Sequence, residues 1–218
     1  MGGAEPLAAA QPMAGGSAPA SPPMTMFYAV VYTMWLKRST EQNIVIGGLA
    51  GALPPAIGWA AASGTAPPNA WLLVLIIFLW TPPHFWALSL YTSEDYAKAG
   101  VPMMPVVKGA ASTRRQIFSY SLALIPVCIL PAFTGLGGPA YLAVAALGGL
   151  VFLLLAWRVL KSRAGEAAGQ RNDDGLYDVK AGSKDARNLF AFSILYLTLL
   201  FAALLAERAT GLAPLELL

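Results

Sequence analysis

The sequence predicts an all-α fold, a polytopic bundle of transmembrane helices, on three observations. Hydrophobic residues make up 57% of the chain and charged ones 11%, against about a quarter charged in a soluble domain. Six apolar segments recur, at roughly 20–36, 44–63, 70–91, 117–135, 139–157 and 188–206. Lys and Arg gather in alternate connections: residues 37–43, 92–116 and 158–187 hold two, four and seven of the 14, whereas 64–69 and 135–138 hold none. That alternation is the positive-inside pattern. It places the basic loops on the cytoplasmic (or matrix) side and requires the first segment to cross. The net charge of +3 then follows from topology and calls for no nucleic-acid partner.

Residues 1–26 are mostly Ala, Gly, Pro, Ser and Met, with one charge, Glu5. Without a basic start or a continuous apolar run they do not form a secretory signal, and they are read as a low-complexity, unstructured leader. The first span has an apolar core of only ten residues, Phe27 to Leu36, so it borrows length from that leader. The second carries Gly47 and Gly51, a small-xxx-small pair that lets helices approach closely, followed by Pro54-Pro55. The third contains Trp80-Thr81-Pro82-Pro83-His84-Phe85-Trp86, with the chain's one histidine. Two neighbouring spans, each interrupted by a proline pair, predict irregular helices lining a cavity. Cys128, in the fourth span, is the single cysteine and excludes an intrachain disulfide. The membrane domain is expected over 27–207, with 208–218 as a tail.

The polar residues predicted for the cytoplasmic side form three clusters: Lys37-Arg38-Ser39-Thr40 with Gln42 and Asn43; Glu94-Asp95-Tyr96 with Lys98; and Lys108 with Thr113, Arg114 and Arg115. His84 lies about 10 Å below Tyr91 if the segment is helical, so all could surround one cavity mouth. An apolar cavity with a basic rim and carboxylates suits an amphiphile with an anionic head. Carboxylates bridged by Mg²⁺ hold a phosphate, and Lys or Arg neutralise a departing diphosphate. Plainer readings stand beside these. Basic loop residues commonly serve orientation and lipid headgroups. A Glu-Asp pair in a loop is commonly just solvated. A histidine inside a span can pack, although ionisable groups within the membrane are functional by default. The stretch Arg171-Asn172-Asp173-Asp174-Gly175-Leu176-Tyr177-Asp178 lacks the closing glutamate of a calcium loop and reads as solvated.

Several of these runs resemble the protoheme IX farnesyltransferase (haem O synthase) family of the intramembrane aromatic prenyltransferase superfamily. They are Tyr32 to Thr40, Asn43 to Gly48, Pro54-Pro55 with Gly58-Trp59, Trp80 to Trp86, Glu94 to Met103 continuing through Val107, and Thr113 to Ile117. The resemblance covers about residues 27–207. It implies a bundle of about nine helices in a bacterial inner (cytoplasmic) membrane, in preference to a mitochondrial one. It also implies a reaction joining the farnesyl group of farnesyl diphosphate to a vinyl group of haem b, with water adding, to give haem O for haem A biosynthesis. Mg²⁺ is the implied cofactor, held partly by Glu94 and Asp95. Catalytic roles are implied for Asp95, Glu94 and His84, and substrate binding for Lys37, Arg38, Asn43, Lys98, Arg114 and Arg115. Implied partners beyond the substrates are the lipid bilayer and haem A synthase or cytochrome oxidase assembly factors.

The family's first acidic motif, expected upstream of Tyr28, is absent, and about six spans stand where about nine are expected. The chain is therefore read as the C-terminal two-thirds of such an enzyme, truncated at the N-terminus and expected to make no haem O alone. Two alternatives stay open: a transporter or channel, since broken helices with a midplane polar group also line pathways, and a catalytically inert fragment. A transporter predicts repeats in the two halves, and the sequence shows none.

Overall fold

The computed structural model describes residues 43–92, 104–166 and 183–211. The leader, the first apolar segment and the tail beyond 211 lie outside them. Among the described residues every regular element is helical: α1 (Asn43–Ala52), α2 (Pro54–Ser63), α3 (Pro68–Tyr91), α4 (Met104–Val107), α5 (Ala110–Ile129), α6 (Pro139–Lys161) and α7 (Ser183–Thr210). A short 3-10 turn, Leu130–Ala132, extends α5.

The second span is broken. Pro54 and Pro55 offer no N–H to the preceding turn, so α1 stops at Ala52 and the prolines open α2, the helix position where a missing donor is tolerated. Gly64 ends α2 at φ 77° and donates its N–H to the Ala60 carbonyl at 2.8 Å. The third span departs from the expectation of a break, for α3 runs unbroken through Pro82 and Pro83. Two prolines deprive the Phe78 and Leu79 carbonyls of their intrahelical donors. Packing holds the helix together there: α3 meets α1, α2, α4, α5 and α7, and Thr81, Pro82, Pro83 and His84 are all buried.

Four helices are long and apolar enough to cross a membrane, spanning Pro68–Tyr91, Ala110–Ala132, Pro139–Lys161 and Lys184–Thr210. The fraction buried falls from 56% in the first to 22% in the last, which makes α3 the central helix. Exposed Leu147, Leu150 and Leu154 on α6, and Ile194, Leu195 and Leu199 on α7, form faces suited to lipid. The helices also outrun the apolar segments. Arg114 and Arg115 ride on the first turns of α5, while Arg158 and Lys161 close α6, where cations favour the helix dipole.

Close packing involves a neighbour of the predicted pair and does not involve Gly51. A Cβ on Gly48 would lie 2.9 Å from Thr81, whereas one on Gly51 would meet nothing within 4 Å. α6 also packs tightly on α7, where a Cβ on Gly148 would sit 2.6 Å from the Tyr196 ring. Tyr196 then donates its hydroxyl to the Ala145 carbonyl at 3.1 Å. Tyr141 ties α6 to α5 in the same way, through the Cys128 carbonyl at 2.7 Å.

Candidate functional site

His84 sits on the α3 face that meets α7. Its ring is stacked between Trp80, 4.2 Å away between centroids, and Phe190, at 4.7 Å. Phe85 approaches edge-on. The Nδ1 atom lies 2.7 Å from Ser193 Oγ, and Ser193 Oγ lies 2.6 Å from the Phe190 carbonyl. The single hydroxyl proton of Ser193 must go to that carbonyl, which can only accept. Ser193 therefore accepts from His84, and in the neutral ring the proton is on Nδ1. Nε2 remains the ring's acceptor, with no protein partner among the described residues. Trp80 completes the knot by donating Nε1–H to the Ser193 carbonyl at 2.8 Å.

A second knot forms at the end of the bundle where α3 ends and α5 begins. Arg114, nearly buried, donates to the Ala164 carbonyl at 2.8 Å and to Glu166 Oε1 at 2.7 Å. Arg163 Nε donates to the other oxygen of Glu166 at 2.8 Å. Those two guanidiniums, Arg163 first, hold the Glu166 carboxyl below its ordinary range. Gly165, at φ 79°, fits where a Cβ would fall 2.5 Å from Leu90 of α3 and 3.1 Å from Ala110 of α5. The turn after α6 thus fastens the end of α3 to the start of α5. Gly165→Ala should destabilise the protein by about 1–3 kcal/mol through left-handed strain alone, read as a lower midpoint of thermal unfolding in detergent.

Of the residues predicted for the site, His84, Arg114 and Arg115 are described with their side chains. Asn43 is the first residue of α1. Lys37, Arg38, Glu94, Asp95 and Lys98 lie outside the described residues. His84 and Arg114 share no partner, and Arg115, one position on, is exposed. No group of three His, Cys, Asp or Glu close enough to hold one metal ion occurs among the described residues. Sequence reasoning missed Ser193, Phe190 and Glu166. A serine within the apolar run of the last span was the one signal available for the first of these.

A helical bundle with four membrane-length helices and a polar knot between two of them defines an integral membrane protein. The model of the UbiA prenyltransferase family matches residues 16–172, and the chain belongs to that family. Among curated relatives, it is 73% identical over 199 residues to a protoheme IX farnesyltransferase of Caulobacter vibrioides, covering 88% of this chain and 60% of the relative. A Caulobacter sp. (strain K31) protein of the same name is 73% identical over 203 residues, covering 88% and 59%. One from Maricaulis maris is 63% identical over 185 residues, covering 85% and 56%. The chain therefore spans at most 60% of the length of these relatives. No solved structure matches it.

Proposed function

We propose that this chain serves the transfer of a farnesyl group from farnesyl diphosphate to a vinyl group of haem b, giving haem O, in a bacterial inner membrane. The observation that carries this reading is the 73% identity over 199 residues to a relative named for that reaction. The C–O bond of the allylic diphosphate breaks and diphosphate leaves with the electron pair. The vinyl group supplies the electrons for the new C–C bond, and water adds at the remaining cationic carbon with loss of a proton.

Each residue's part follows from its chemistry. Glu94 and Asp95 are hard oxygen donors of the type Mg²⁺ takes, and would hold it. The metal, when bound, neutralises phosphate charge. Lys37, Arg38, Lys98 and Arg115 add positive charge for the departing diphosphate, and Asn43 adds a hydrogen-bonding group. Arg114 has its guanidinium engaged by Ala164 and Glu166, so its contribution is to hold the rim in shape. His84 offers Nε2 as an acceptor toward substrate. The basic loops face the cytoplasm in this reading. A transport pathway between paired broken helices is disfavoured by the continuity of α3.

A chimera tests the proposal: the matching 199 residues of the Caulobacter vibrioides relative are replaced by this chain's. Its membranes, given haem b, farnesyl diphosphate and Mg²⁺, should form haem O detectable by mass spectrometry. Asp95→Asn, nearly constant in volume, should lower the rate by about a hundredfold or more. His84→Phe keeps the stack between Trp80 and Phe190 while removing both ring nitrogens, and should lower product while protein level holds. A well-inserted chimera that makes no haem O would overturn the proposal.

A further inference from the structure

The end of the bundle away from the basic loops holds a cavity of about 510 Å³ that the proposed reaction does not use. It opens among the end of α2, the start of α3, the 135–138 connection and the last turns of α7. Leu73, on its wall, is 18 residues before Tyr91, hence about 27 Å along α3 from the basic rim. A diphosphate held at that rim would be far from it. The volume falls within the roughly 300–1,000 Å³ of small-molecule sites.

Its chemistry divides into an apolar wall and a charged mouth. Trp59, Leu73, Phe201 and Leu204 supply the wall, and Glu207 and Arg208 the mouth. The two charges do not pair. Glu207 Oε2 accepts from the Gly138 amide at 2.6 Å and Oε1 from the Tyr141 amide at 2.9 Å. Its negative charge thus answers the partial positive charge at the α6 N-terminus. Arg208 is left exposed, with no carboxylate partner among the described residues. Asn69, also at the mouth, uses one amide proton on the Thr134 carbonyl at 3.3 Å and keeps the second available. A guanidinium with a spare donor, set at the end of a membrane span beside an apolar slot, is complementary to a phosphodiester carrying a hydrocarbon chain.

We infer that this cavity binds one anionic phospholipid of the leaflet opposite the basic loops, its phosphate on Arg208 and Asn69 and part of an acyl chain against Trp59, Leu73 and Phe201. The site is independent of prenyl transfer. It also accounts for a lone arginine on the face that the charge pattern otherwise keeps free of cations.

Native mass spectrometry of the 218-residue chain, released from detergent with defined lipids, tests the site. Phosphatidylglycerol should be retained in preference to phosphatidylcholine, with one more lipid bound than in Leu204→Trp, whose ring fills the slot. Arg208→Gln should weaken phosphatidylglycerol binding by about fivefold, the loss of one basic residue's attraction to an anionic headgroup, and leave phosphatidylcholine unchanged. A second readout guards against misfolding of the filled variant: brominated phosphatidylglycerol should quench the wild type more than Trp59→Phe. Millimolar inorganic phosphate should not displace the lipid. Equal retention of the two lipids by wild type and Arg208→Gln, or displacement by phosphate, would overturn the inference. So would an unchanged lipid count in a folded Leu204→Trp.

Discussion

Glu207→Ala should lower the stability of the bundle by about 1.5–3 kcal/mol, the range for losing a hydrogen bond to a charged group. Glu207 is 5% exposed, and its carboxylate is the hydrogen-bonding partner of the Gly138 and Tyr141 amides at the start of α6. Gly138 has no side chain with which to cap that helix, and Pro139 follows it. The cap therefore comes from α7, 69 positions along the chain. Removing it leaves two amide donors without that partner and unfastens the α6–α7 pair at one end. Glu207→Gln should recover part of the loss, because its amide oxygen can still accept. Thermal unfolding in detergent measures both. Indistinguishable midpoints for wild type and Glu207→Ala would show that water replaces the carboxylate without penalty.

Arg114 and its neighbour Arg115 should separate cleanly. Arg114→Ala breaks a nearly buried bond to the Ala164 carbonyl, worth about 1.5–3 kcal/mol, and releases Glu166 from one of its two cations. Trypsin should then cut after Arg163 faster, since the 162–166 turn is no longer held against α5. Arg114→Lys should behave almost as badly, because an ammonium cannot span the carbonyl and the carboxylate as the planar fork does. Arg115→Ala, on an exposed face, should change stability by no more than about 0.5 kcal/mol and show its effect only in the chimera's turnover. The clasp also has a defined pH response. Glu166 is held below its ordinary pKa of 4.5, so its stabilising charge is complete above that value. It is lost only as the pH falls through the lower folded value. Protease resistance of the turn should persist through neutral and mildly acid pH and fail at stronger acidity. A loss that began near neutrality would point to a different group.

Much of this architecture was legible in the residues. Apolar runs of membrane length and the alternation of Lys and Arg predict a helical membrane bundle, because lipid leaves the backbone few other ways to satisfy its own polar groups. Pro54-Pro55 marks the break between α1 and α2, because a proline pair ends one helix and begins the next. The same rule applied to Pro82-Pro83 gives the wrong result. Local chemistry there favours a break, yet burial of α3 against its neighbours keeps the helix continuous, and no local pattern carries that information. The glycine pair at 47 and 51 shows the same limit. Spacing identifies a smooth helix face, but only the docking of α1 on α3 decides that Gly48 meets Thr81.

The candidate site divides along the same line. By itself the sequence determined that this is an integral membrane protein of helices, with a histidine inside one span and Lys and Arg concentrated in alternate connections. Those properties follow from composition and order along the chain. Tertiary structure alone decided what the polar groups do. Ser193, 109 positions from His84, sets the ring's proton on Nδ1. Glu166 turns Arg114 from a free cation into a clasp, and Glu207 becomes the cap of a helix it does not belong to, so that among the described residues it does not pair with Arg208. Each of these depends on which helix faces which. That choice rests on side-chain packing among distant segments, since neighbours in sequence do not carry the partner's identity.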